Sequence, residues 1–211
     1  MDFPISPDAI YPDYGRINKY GEFTIDKYNE TYEKQKLGVF YDIYCVAIRK
    51  KPLAGINLTT QYGIQFIKDS LKSGEMNKTN VQNVIKYINH EKLPCIQWLE
   101  EGNYLRNVYY NEKDKNGFEN ALKLILILHT DYYDLNEFEY HIAIGFLLGY
   151  KPKRICGFLL RNTNYRIYVE SKEDLTSYIK ETCNFIQKLD FSEDIINIYP
   201  IKIIYGINVN L

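Results

Sequence analysis

The stretch HTDYYDLNEFEYH, residues 129–141, gathers the side chains best able to do chemistry in this chain. It holds two of the three histidines, His129 and His141, and four carboxylates, Asp131, Asp134, Glu137 and Glu139. Glu137 and His141 stand four positions apart, so a helix puts them on one face, a spacing that presents two ligands to one metal ion. A turn before that helix can bring His129 and Asp131 back to the same place. The set His129, Asp131, Glu137 and His141 would then be a mixed nitrogen and oxygen site, the basis of one reading: a metal-dependent hydrolase.

The same letters have an architectural reading. If a helix begins after Asp134, that residue is its N-cap and Glu137 its third position. The two side chains then satisfy exposed backbone N–H groups reciprocally, with Tyr133 and Phe138 placed to pack as a hydrophobic staple. His129 falls in the last turn of the preceding helix, where the dipole favours an imidazolium. The motif matches no known metal signature, and His141 shares a face with Phe138, Ile142, Gly145 and Leu148. The architectural reading is therefore preferred, and no cofactor is expected.

The other chemistry-bearing sites are weaker. Lys151, Lys153 and Arg154 surround the start of a helix opened by Pro152, where unpaired N–H groups also favour anions. A phosphate or nucleic-acid contact is one use for them. A helix that reads DNA carries polar side chains on an exposed second helix, whereas ICGFLL is mostly apolar and reads as buried. Cys156 lies near Lys153 and Arg154, yet on an apolar helix a cysteine behaves as a small hydrophobe. There is no G-x-S-x-G, no phosphate-cradling glycine loop and no H-E-x-x-H.

Elements must position these residues. Residues 1–20, with Pro4, Pro7, Pro12 and Gly15, read as an extended N-terminal arm, and residues 21–211 as a single globular domain. VFYDIYCVAIRK (39–50) alternates and is rich in aromatic and β-branched residues, as a half-buried strand is. Helical periodicity follows in TQYGIQFIKDSLKSG and in TNVQNVIKYINHEKL, the second capped by Thr79. The second half of KLPCIQWLEEGNYLRNVYYNEKDKNG reads as a strand ending in a polar loop closed by Asn116 and Gly117. FENALKLILILH reads as a helix by length. Gly149 suits the left-handed position after a helix, with Tyr150 folding back and Pro152 opening the next, so AIGFLLGYKPKRICGFLLRN reads as a tight helix–turn–helix pair. Gly145 inside the first helix costs about 1 kcal/mol against alanine, which makes sense where another backbone packs close. SKEDLTSYIKETCNFIQKLD is a helix capped by Ser171, and INIYPIKIIYGINVNL one bent strand or two short ones. The expected fold is α+β, a helix-rich single domain with a late helix–turn–helix pair and a small sheet including strands near 39–50 and 195–209.

Composition bounds the partners. The chain has 211 residues and a formal net charge of -1, so it has no global attraction to nucleic acid or to an anionic membrane. Its four cysteines stand apart, and the opening residues have neither a basic start nor an apolar signal core, which favours reduced thiols in the cytoplasm. The longest apolar runs, 124–128 and 142–150, are far shorter than the roughly 20 residues that span a bilayer. There are 21 tyrosines, against ten phenylalanines and one tryptophan. Pairs such as Tyr109–Tyr110 and Tyr132–Tyr133, with Tyr11, Tyr14 and Tyr20, are too many for the core alone, and exposed tyrosine suits interfaces.

Ile, Lys, Asn and Tyr all use A/T-rich codons. In that bias, and in the run EYHIAIGFLLGYKPKR, the chain resembles proteins of giant DNA viruses of the mimivirus-like group. The resemblance implies a viral origin and a place in the virion or host cytoplasm, and it transfers no functional residue. The expected function is a non-enzymatic binding protein with a tyrosine-rich surface for a protein partner or for self-association; the alternative is the hydrolase centred on 129–141.

Overall fold

A computed structural model describes residues 16–17, 23–24, 37–56, 61–98, 107–161, 172–191 and 194–209 of the chain. The expected arm over 1–20 lies outside them, except for Arg16 and Ile17. These form strand β1 (Arg16–Ile17), antiparallel to β2 (Phe23–Thr24). The architecture is α+β and helix-rich: among the described residues, eight helices accompany a four-stranded antiparallel sheet. The chain divides into two compact units, Met1–Ala121 with Pro200–Leu211, and Leu122–Tyr199.

In the first unit the sheet has the order β3-β5-β4-β6, from β3 (Leu53–Ile56), β4 (Pro94–Trp98), β5 (Asn107–Tyr110) and β6 (Ile201–Tyr205). Its register puts Ala54, Tyr109, Cys95 and Ile204 in one row across all four strands. That row faces the larger core. The core is built from helix α1 (Phe40–Ala47), Ile67 of α2 (Gln61–Ser73), and Val81, Val84 and Ile88 of α3 (Lys78–His90).

Helix α1 overturns the strand expected over 39–50. Seven of its eight residues are buried, and a helix enclosed on all sides is apolar all round and shows no face to count by. Its single charged residue, Asp42, takes the Lys51 ammonium at 3.1 Å. The loop after β5 is tied to the end of α1 by buried Asn111, whose amide donates to the carbonyls of Val46 and Ala47 at 3.2 and 3.3 Å. Its side-chain oxygen accepts from the Lys113 N–H. Gly117 closes that loop as expected, because a Cβ there would stand 2.5 Å from the Asn111 carbonyl oxygen.

Helix α3 is capped by Asn77 rather than Thr79. The Asn77 oxygen accepts from the Asn80 N–H at 3.0 Å, and Thr79 is already the second residue of the helix. The tail is also revised. Residues 195–198 form a short helix, α8 (Ile195–Ile198), because the Asn197 and Ile198 N–H groups turn back to the Asp194 carbonyl. Only residues after Pro200 extend, as β6.

Helix α4 (Gly117–His129) starts in the first unit and ends in the second, which holds α5 (Glu137–Leu147), α6 (Pro152–Arg161), α7 (Lys172–Lys188) and α8. Helices α5, α6 and α7 pack around Ile142, Ile155, Leu159, Leu175 and Ile179, each such side chain worth about 1.5–3 kcal/mol when removed from water. The Lys123 side chain, also buried, reaches the Gln187 carbonyl at the end of α7 at 3.5 Å, where the helix dipole favours a cation. The expected Ser171 cap lies outside the described residues.

The α5–α6 turn forms as its sequence predicts. Gly149 has φ +83, its N–H bonds the Phe146 carbonyl, and the Tyr150 N–H reaches the Gly145 carbonyl at 2.8 Å. These are the two bonds of a Schellman motif. What approaches Gly145 is a side chain rather than a backbone: a Cβ there would lie 2.9 Å from Ile155 Cγ1. Helices α1 and α3 end with the same bond pair, but with Arg49 (φ 61) and Lys92 (φ 49) where glycine is usual.

These helix ends can be tested by stability. Lys92→Gly should raise stability by about 0.5–1 kcal/mol, since an L side chain is strained at positive φ. At position 149 the order of stability should be the parent glycine, then Gly149→Asn, then Gly149→Val, with the valine costing about 1–2 kcal/mol. Denaturant titration of the parent and the three variants checks both, and a Gly149→Val protein as stable as the parent would remove the turn.

Candidate functional site

The structure resolves 129–141 into a helix end, a turn and a helix start. His129 is the last residue of α4. Thr130 stops that helix: its hydroxyl donates to the Leu126 carbonyl at 2.7 Å and accepts from the Tyr132 N–H. Asp131 is exposed, and its carbonyl receives the Asp134 N–H. Asp134 is not a cap. It sits at φ 46, in the left-handed region that Asp tolerates better than most residues. The cap is Asn136, whose oxygen accepts from the Glu139 N–H at 3.0 Å while Glu139 Oε2 accepts from the Asn136 N–H at 3.0 Å. The capping box is real but shifted by two residues, which takes Tyr133 and Phe138 out of the staple positions, since Phe138 is then only the second residue of α5.

Glu137 is exposed in the first turn of α5, where a carboxylate suits the helix dipole. His141, one turn on, is half-buried with its ring 5.2 Å from that of Tyr140 and 5.5 Å from that of Phe158. Burial holds its pKa below the usual 6.5, and Glu137 opposes that shift. Among the described residues no three His, Cys, Asp or Glu side chains gather closely enough to hold a metal ion. His129, Asp131, Glu137 and His141 are therefore not brought together as ligands.

Lys151 is exposed just before α6, its carbonyl accepting from the Arg154 N–H at 2.8 Å, and Arg154 is half-buried. The side chain of Lys153 lies outside the described residues. Helix α6 buries Ile155, Cys156 and Leu159, as its sequence predicts. All four cysteines are buried thiols. Burial is the largest cause raising three of them: Cys45 to about 12, Cys183 to about 11 and Cys95 further still.

The tyrosine expectation is redistributed. Tyr109 and Tyr110 are both buried, with Tyr41 and Tyr44. Among the tyrosines whose side chains are described only Tyr132 and Tyr205 are exposed; Tyr11, Tyr14 and Tyr20 lie outside the described residues. The surface that the sequence reading missed is β6. Ile203 and Tyr205 point to the sheet face opposite the larger core and are 41% and 61% exposed. Ile96, beside Ile203 on β4, is fully buried, so the apolar face emerges at its last strand. The alternation in PIKIIYG carried this signal, but a half-exposed edge strand and a half-buried inner one read alike.

No family model, curated protein or solved structure matches the chain. No helix among the described residues is long and apolar enough to cross a membrane.

Three outcomes test this account. Asn136→Ala should cost about 0.5–2 kcal/mol, with Asn136→Asp close to the parent; equal losses in both would show that the cap is not what Asn136 supplies. For His141, a folded pKa below the unfolded one means that the unfolded chain binds more protons as pH falls below the unfolded value, so stability declines there. The melting temperature of His141→Phe should therefore gain on the parent between pH 7.5 and 5, and a constant difference would show an undesolvated ring. Finally, none of the four thiols should react with a disulfide reagent within minutes at pH 8 in the folded protein, and all four should react after unfolding without reductant. A pair that stays protected on unfolding would signal a disulfide.

Proposed function

We propose that the protein is a non-enzymatic binding protein whose contact surface includes the outer edge of β6. The observation that carries this reading is the exposure of Ile203 and Tyr205 on a strand bonded on one side only among the described residues. An antiparallel strand turns alternate residues' N–H and C=O groups toward each side. The Gly206 N–H bonds the Leu93 carbonyl on the β4 side at 2.8 Å, so Ile204 and Lys202 share that direction and Ile203 and Tyr205 offer their backbone groups outward. An added strand gains main-chain bonds there, and its side chains meet Ile203 and Tyr205, the mode called β-augmentation. The occupant is a protein segment or a second copy of the chain. Tyr205 keeps tyrosine in the contact, beside the aliphatic Ile203. The A/T-rich residue bias fits a viral source, and a viral protein of this kind would act in the virion or host cytoplasm.

The test compares the parent with Ile203→Lys, which adds a charge to the edge while leaving the larger core untouched. Sedimentation across a concentration series reads self-association, and capture from the native host cell with mass spectrometry reads a partner. The variant should lose whichever complex the parent forms while melting within a few degrees of it. Identical complexes from both proteins would overturn the role of β6. Metal analysis of the purified protein, with thermal shifts in zinc, manganese and chelator, covers the alternative hydrolase: stoichiometric metal lost in Glu137→Gln would replace the binding reading.

A further inference from the structure

We draw no further inference here: the strongest candidate outside β6, the surface patch of Tyr140, His141 and Phe158 on the α5–α6 pair, is a partly exposed aromatic face for which nothing in the structure shows what covers it.

Discussion

The side-chain amide of Asn89 holds the returning chain to the first unit. Its oxygen accepts from the Ile207 N–H at 2.6 Å and its nitrogen donates to the Ile207 carbonyl at 3.1 Å, across 118 positions of sequence. Two residues of an antiparallel ladder exchange bonds in this way, so Asn89 extends the sheet's bonding onto the end of α3. Gly206 makes the approach possible: it has φ +73, and any Cβ there would run into the Asn89 side chain. Each such bond contributes about 1 kcal/mol net, while a part-buried amide left unmet costs about 1–3 kcal/mol. Losing Asn89 therefore weakens more than one contact, because Ile207 sits in the larger core and Ile204 packs against it.

The helix ends show how the chain accommodates strain. At Arg49 and Lys92 a left-handed conformation costs about 1–2 kcal/mol. The bonds Lys50 N–H to Cys45 and Leu93 N–H to Ile88 satisfy carbonyls that the helices would otherwise leave open. Leu93 and Ile88 are both buried in the same core, so the turn after α3 is repaid by packing. Arg49 pairs with Asp114 at 3.2 Å, but with Arg49 more than half exposed that pair is worth about 0–1 kcal/mol. At this end the connection itself, from α1 to buried Lys51 and into β3, is what requires the turn.

Legibility followed how strongly a pattern was local. The helices at 61–73, 78–90, 117–129 and 172–188 have stripes or length that a periodic count finds, and the Gly149–Pro152 turn depends on residues whose conformational preferences are strong. Helix α1 was illegible because enclosure erases periodicity, and FYDIYCVA then shows only its aromatic and β-branched bias toward strand. Two overlapping boxes, Asp134 with Glu137 and Asn136 with Glu139, share one pattern, a capping side chain three positions before a glutamate. The left-handed conformation at Asp134 decides between them, and neither box encodes it. The candidate metal set has the same limit, since spacing along a helix places Glu137 and His141 but says nothing of where a turn sends Asp131. The β6 surface depends on which strand ends up outermost, and strand order is a property of distant pairings.

The placement of β6 has a consequence during synthesis. Strands β3, β4 and β5 are complete as soon as residue 110 has been made, whereas the partner that covers the outer edge of β4 lies beyond the whole second unit. Until then β4 is itself the outermost strand, with Cys95, Ile96 and Trp98 awaiting neighbours. Pairings between distant segments form slowly because loop closure must precede their reward, and an uncovered strand is a template for wrong partners in the interval. A nascent chain stalled inside the second unit would therefore expose a stickier edge than the finished protein does, and crowded translation would be its most hazardous moment.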